Sequence, residues 1–204
     1  MFLFKTKFGR QVVFVGCFCF AVLPFGLASG PALAKSDRHE KKQYEKTLWK
    51  WTRTSEVFQR DDFNASLKWY ATPINEEIIA AQIRRVASVY QYDQPEYDNL
   101  SAKMTERFSH YTVYYVSFYS YEYRFEDLSK ESNDWKIYLE SNCNKTAPIK
   151  IEKINKVSQM DQMLFPYSNL WSHHYYIYFP KQSESTCPVK LSVFGPGGKD
   201  TLTW

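Results

Sequence analysis

His173 and His174 are the residues that most directly raise metal chemistry, because neutral imidazoles ligate zinc-class ions. They open an alternating run that ends at Phe179, however, and neighbouring strand residues point to opposite faces, so the two rings cannot share one ion. His39 and His110 lie far off, and no HxH, HExxH or CxxC spacing accompanies any of them. Gly195, Gly197 and Gly198 ahead of Lys199 have the look of a phosphate loop. Such a loop needs a glycine five positions before its Gly-Lys and a hydroxyl residue after it, whereas Val193 and Asp200 stand there. The glycines read as a hairpin turn. Of the carboxylate pairs, Asp61-Asp62 borders a polar break and Glu76-Glu77 occupies a helical first turn, where negative charge complements the helix dipole. No GxSxG elbow is present. The expectation is a non-enzymatic protein with no cofactor and no metal.

Cysteine chemistry depends on the compartment. Lys5, Lys7 and Arg10 precede an apolar run from Val12 to Ala28 that ends near Ala32-Leu33-Ala34, the layout of a secretory signal peptide cleaved after Ala34. Gly16, Pro24, Gly26 and Gly30 interrupt the run, leaving it short of the roughly 20 apolar residues that span a bilayer. Cleavage removes Cys17 and Cys19 and leaves Cys143 and Cys187, an even pair in an oxidising compartment and hence a disulfide; two separate buried thiols are the rival reading. A bridge closing that loop contributes roughly 3–4 kcal/mol. Acylation of Cys17 is a further alternative, disfavoured by the short apolar stretch before it. Membrane association follows only if Cys17 is lipidated or the signal is retained. Cleavage also takes away three basic and no acidic residues, so the formal charge falls from +4 to +1. The remaining basic stretch, Lys35 to Lys50, is interleaved with Glu40 and Glu45, and a nucleic-acid partner is unsupported.

Stepping outward to the elements, residues 35–53 read as a charged N-terminal helix or lead-in with one thin apolar stripe, Tyr44, Leu48 and Trp51, able to dock through Leu48, Trp49 and Trp51. Alternation of Phe63, Ala65, Leu67 and Trp69 against Asn64, Ser66 and Lys68 predicts a strand. Thr72 as N-cap with Pro73 at the first position predicts a helix, with Ile79, Ile83, Val86 and Tyr90 on its buried face and Arg84 and Arg85 outside. Asp93-Gln94-Pro95 starts a second helix carrying Leu100, Met104 and Phe108. Tyr111 to Tyr121 is apolar on both faces, the mark of a central strand. Trp135, Ile137 and Leu139 alternate with Lys136, Tyr138 and Glu140; a further extended segment ends at Leu164-Phe165-Pro166-Tyr167; Tyr175, Ile177 and Phe179 oppose Tyr176 and Tyr178; and Val189, Leu191 and Val193 alternate with Lys190 and Ser192. These short strands predict a mainly β (α+β) fold, an immunoglobulin-like antiparallel β-sandwich over 54–204 with a helical hairpin inserted at about 73–108.

Trp51-Thr52-Arg53, Ala71-Thr72-Pro73, Trp135 to Leu139, Leu164-Phe165-Pro166-Tyr167, Trp171, Tyr178-Phe179-Pro180 and the terminal Leu202-Thr203-Trp204 together resemble a group of uncharacterised exported bacterial proteins. The resemblance implies export and the sandwich fold and carries no activity; the cysteine pair is not part of it. The aromatic surplus is left as the one unexplained feature. Alternating aromatics on strands usually pack in the core. An open face would instead make Tyr115, Tyr119 and Tyr121, or Tyr176 and Tyr178, a binding platform. The functional expectation is therefore an exported protein of the periplasm or cell envelope that serves as a protein-interaction or structural module, its partner an envelope protein; the alternative is a carbohydrate-binding module gripping a glycan with exposed tyrosines.

Overall fold

The structure, a computed structural model, describes residues 30–58, 65–121, 127–130, 134–142, 144–182, 187–196 and 198–204, without the side chains of 30–36 and 65. In chain order the elements are α1 (Gly30–Trp51), β1 (Arg53–Phe58), β2 (Ala65–Pro73), α2 (Glu76–Tyr90), α3 (Gln94–Ser109), β3 (Tyr111–Ser120), β4 (Lys136–Ser141), β5 (Asn144–Thr146), β6 (Lys150–Ile154), α4 (Gln159–Leu164), β7 (His173–Pro180), β8 (Lys190–Gly195) and β9 (Gly198–Thr203). The strands form two antiparallel sheets, β1-β2-β3-β7-β6 and β5-β4-β8-β9, packed as a sandwich. This is the mainly β fold with inserted helices that the alternation predicts. Among the described residues no helix is long and apolar enough to cross a membrane. The expected signal segment lies mostly outside the described residues, as do Cys17, Cys143, Asp61 and Asp62.

Strand β3 occupies the centre of the larger sheet because both of its faces are apolar. Tyr114, Val116 and Phe118 join Trp69, Tyr175, Ile177 and Phe179 in a core shared with Trp135, Ile137, Leu139, Leu191 and Val193 of the second sheet. Val113 and Tyr115 face the other way, into a second core with Tyr44, Leu48, Ile78, Val86, Phe108, Phe165 and Tyr167. The helices and α4 thus form a third layer on the outer face of the five-stranded sheet. Trp135, Ile137 and Leu139 are buried as the alternation requires. The Trp135 ring stands edge-on to Phe118, with centroids 4.9 Å apart.

Several local expectations give way to tertiary contacts. Pro73 does not open a helix. It ends β2, in register with Tyr114, and Asn75 becomes the N-cap, its side chain accepting from Ile78 N–H at 2.9 Å. Arg85 is buried, because α1 lies along α2 and covers the side that would face solvent on a two-layer protein; its guanidinium pairs with Asp37. Tyr90, on the expected buried face, is exposed. Helix α1 extends back to Gly30, across the expected cleavage point, and docks through Tyr44 and Leu48, while Trp49 is exposed. The Tyr44 hydroxyl donates to the Leu164 carbonyl. Residues 159–164, expected extended, form α4. Ser158 and Asp161 cap it reciprocally in the box pattern.

Gly195 ends β8 directly against the Trp135 indole. A methyl group there would sit 2.4 Å from ring carbons Cδ2 and Cε3, so the ring, packed edge-on against Phe118, would have to shift. Gly195→Ala is expected to lower stability by about 1–3 kcal/mol through overpacking, read as a shifted urea midpoint; an unchanged midpoint would show that the indole is free to move.

Candidate functional site

The sandwich is closed along one side, where β1 lies against β9, and open along the other. There β6 is the last strand of its sheet, and among the described residues it pairs only with β7, from Lys150↔Tyr178 to Ile154↔His174. Its alternation divides two environments. Ile151 packs toward the sandwich core and Ile154 toward the helical layer.

On the inner side a recess of about 510 Å³ opens between the sheets, floored by Leu128, Trp135, Ile137, Pro148 and Ile151. Its mouth is shaped by the turn at 127–130. Lys153 Nζ lies 2.8 Å from Asp127 Oδ2, and the Ser129 hydroxyl and N–H donate to Asp127 Oδ1 at 2.7 and 3.0 Å. Partial burial pushes the Asp127 carboxyl up, but Lys153 and Ser129 outweigh it and hold it well below the carboxylate range. The turn is further held by Leu128 N–H donating to the Tyr175 hydroxyl at 3.2 Å.

On the outer side Arg107, Tyr111, Ile149, Lys150, Glu152 and Tyr178 line a groove of about 640 Å³. Arg107, at the end of α3, lies 4.7 Å above the Tyr176 ring and reaches Glu152 at 3.6 Å. Glu152 also takes the Lys150 ammonium at 3.0 Å and the Tyr178 hydroxyl at 3.2 Å. Lys150, with smaller help from Tyr178 and Arg107, holds the Glu152 carboxyl below its ordinary range against the effect of burial. Burial disfavours the Arg107 cation, but Tyr178, Tyr176 and Glu152 more than compensate. Two cations therefore face one carboxylate, and the groove is net positive at neutral pH. The Tyr111 ring meets Tyr178 edge-on at 5.7 Å and remains partly exposed, as does Ile149. Chemically this is a sheet edge, its outer backbone unpaired among the described residues, between an apolar recess and a charged aromatic groove. Lysines and ion pairs on an edge strand also discourage indiscriminate pairing, so any occupant has to satisfy the Arg107–Lys150–Glu152 cluster.

The expected tyrosine platform is not open. Tyr115 is 0 % exposed, stacked on Phe165 with centroids 3.6 Å apart, and Tyr178 is 7 % exposed. Tyr176 and Tyr119 are half-buried. Tyr121 alone of the five is exposed, at 52 %. The cause is the helical layer, which covers the middle of the face that these residues share and leaves Tyr121 beyond it. Cys187 is half-buried just ahead of β8. Glu77 accepts from Lys50 and the Trp51 indole, each at 2.7 Å, and acts as a clip between α1 and α2. Among the described residues no group of three or more His, Cys, Asp or Glu side chains is arranged to hold a metal ion. Arg107 and Asp127 gave no signal in the sequence; Lys150 and Glu152, two apart on a strand, could have been paired on one face.

The fold and this edge together define a three-layer sandwich in which β6 is an accessible edge strand among the described residues. No protein-family model matches the chain, and no curated protein aligns with it significantly.

His173 and His174 fall on opposite faces, and His174 is buried. Its Nε2–H donates to the Asn169 carbonyl at 3.0 Å, while Nδ1 has no partner among the described residues. Burial lowers the His174 pKa, partly offset by Asn169. The unfolded chain takes up a proton near pH 6.5, and the folded chain only at lower pH, so stability falls as pH drops through that window. From about pH 7 to about pH 5 the urea midpoint should fall more steeply for the native chain than for His174→Gln; equal slopes would refute the assignment.

Proposed function

We propose that this is an exported, non-enzymatic protein of the periplasm or cell envelope that binds another macromolecule by adding an extended segment of it to β6. The observation carrying this reading is the position of β6 between its two recesses. A strand laid alongside supplies main-chain hydrogen bonds, and its alternate side chains drop to opposite sides. Those facing inward meet Leu128, Trp135 and Ile151 and should be apolar. Those facing outward meet Arg107 and Lys150 and should include a carboxylate. The likeness to exported bacterial proteins supports the compartment. Glycan binding through the tyrosine rows has lost its main support, since Tyr115 and Tyr178 are sealed.

The same compartment favours a Cys143–Cys187 bridge. Glu140 and Lys190 are register partners, and the two cysteines stand three residues beyond one and three residues before the other.

Two experiments test these readings. A photo-crosslinking residue replacing exposed Ile149 should give a discrete adduct in the envelope, and one replacing Val89 on α2 should not; partner addition should slow amide exchange at 150–154. Adducts at Val89 alone, or unchanged exchange, would remove β6 from the reading. For the exported form, intact mass should begin at Lys35 and fall by about 2 Da relative to the reduced chain. Two alkylatable thiols before reduction would exclude the bridge.

A further inference from the structure

The two most exposed large apolar side chains among the described residues, Leu170 and Trp171, share one end of the five-stranded sheet with two others. Phe58 (60 %), Tyr121 (52 %), Leu170 (94 %) and Trp171 (81 %) stand at one end of the five-stranded sheet. The registers place them there: Phe58↔Ala65, Leu67↔Ser120, Phe118↔His173 and Ile154↔His174 bring the end of β1, the end of β3, the turn before β7 and the end of β6 to the same edge. Leu170 and Trp171 project almost wholly into solvent from the turn that links α4 to β7.

Beside Leu170 lies a recess of about 520 Å³ whose apolar wall is Ile154 and Val157 and whose polar wall is Asn155, Lys156, Gln162, Asn169, Ser172 and His173. Every one of the polar side chains can donate a hydrogen bond. Lys153 also borders it, with its ammonium held by Asp127. Among the described residues no carboxylate lines the recess. Asp161, which acts electrostatically on His174, is engaged by the Ser158 hydroxyl and N–H at 2.6 and 2.9 Å. The base of the recess includes His174, the buried ring with the unpartnered Nδ1.

We infer that this end of the sandwich docks on an anionic lipid surface, with Leu170 and Trp171 entering the bilayer interface and Lys156 and its neighbouring donors meeting headgroup phosphates. Tryptophan and tyrosine concentrate at that interface because each pairs an apolar ring with one polar group. Cations beside them add attraction to anionic headgroups. Two side chains that protrude this far suit a deformable medium, and a carboxylate-free recess of donors complements phosphate oxygens. The recess shares Lys153 and Ile154 with the last residues of β6, but Leu170 and Trp171 lie outside that strand, so a change at either of them tests lipid docking separately from strand addition.

The test uses the full chain and phosphatidylglycerol vesicles with brominated acyl chains, which quench tryptophans that reach the hydrocarbon. Comparison with Trp171→Phe isolates Trp171, and residues 1–34 contain no tryptophan to confuse the signal. The native chain should lose several-fold more emission than Trp171→Phe. Leu170→Ser and Lys156→Glu should each weaken Trp171 quenching, the latter by about fivefold in lipid needed. Equal quenching of the native chain and Trp171→Phe would overturn lipid docking and leave the surface to some other occupant. Equal Trp171 quenching by phosphatidylcholine vesicles would overturn the headgroup assignment.

Discussion

Water is excluded from both faces of β3 and β7, and the rest of the architecture answers that constraint. A strand carrying Tyr114, Val116 and Phe118 on one side and Val113 and Tyr115 on the other cannot stand at the surface of a two-layer protein. One side requires the second sheet, which brings Trp135, Ile137, Leu139, Leu191 and Val193. The other requires a lid, and α1, α2, α3 and α4 supply it from three separate stretches of chain. Several of the hydroxyls trapped by this covering are satisfied in pairs, although that of Ser117 has no partner among the described residues. Thr52 bonds Thr72, Thr72 bonds Tyr167, and Tyr115 bonds Ser168, each at 2.7 Å, which keeps the buried phenols from becoming a liability.

The same covering decides where the molecule can be approached. The β1/β9 side is closed further by the Arg53 guanidinium on the Thr203 carbonyl at 3.0 Å and by the Trp69 indole on Asp200 at 2.7 Å. Along β6 there is no equivalent closure among the described residues. A carboxylate shared by Lys150, Arg107 and Tyr178 stands there instead. Such a cluster is exposed enough to be screened by salt, so it adds little to folding and is better suited to selecting what may lie beside the strand.

Alternation made the layers legible. Residues 136–141 and 173–180 could be assigned to faces from the sequence because tertiary packing obeyed the period of two, and the double-sided pattern at 111–121 marked the central strand. The helix from Asp93 was also readable, since its cap and its Phe108 stripe agree. Where two local rules competed, packing decided. Thr72-Pro73 and Asn75 both offer a helix start, and pairing of Pro73 with Tyr114 eliminates the first. Six-residue α4 is too short to show periodicity, leaving only Ser158 and Asp161 as its trace. The tyrosine rows are legible as faces in the sequence, but a sequence does not state what covers a face. The groove beside β6 had no local signature, because it is assembled from residues 107, 111, 149, 150, 152 and 178.

Sealing so many phenols, Tyr114 between the sheets and the others beneath the helices, also gives the molecule an alkaline weak point. Burial, only partly offset at Tyr44 by Gln82 and at Tyr115 by Ser168, raises the pKa of Tyr44, Tyr114, Tyr115 and Tyr176 well above the ordinary value, and Tyr167 likewise. An unravelled chain releases those protons near pH 10, whereas the native one keeps them, so each hydroxyl favours the folded state below that point and ceases to do so as the medium turns more basic. Five such groups make strong base a second condition under which this architecture loosens, alongside the low pH that charges His174.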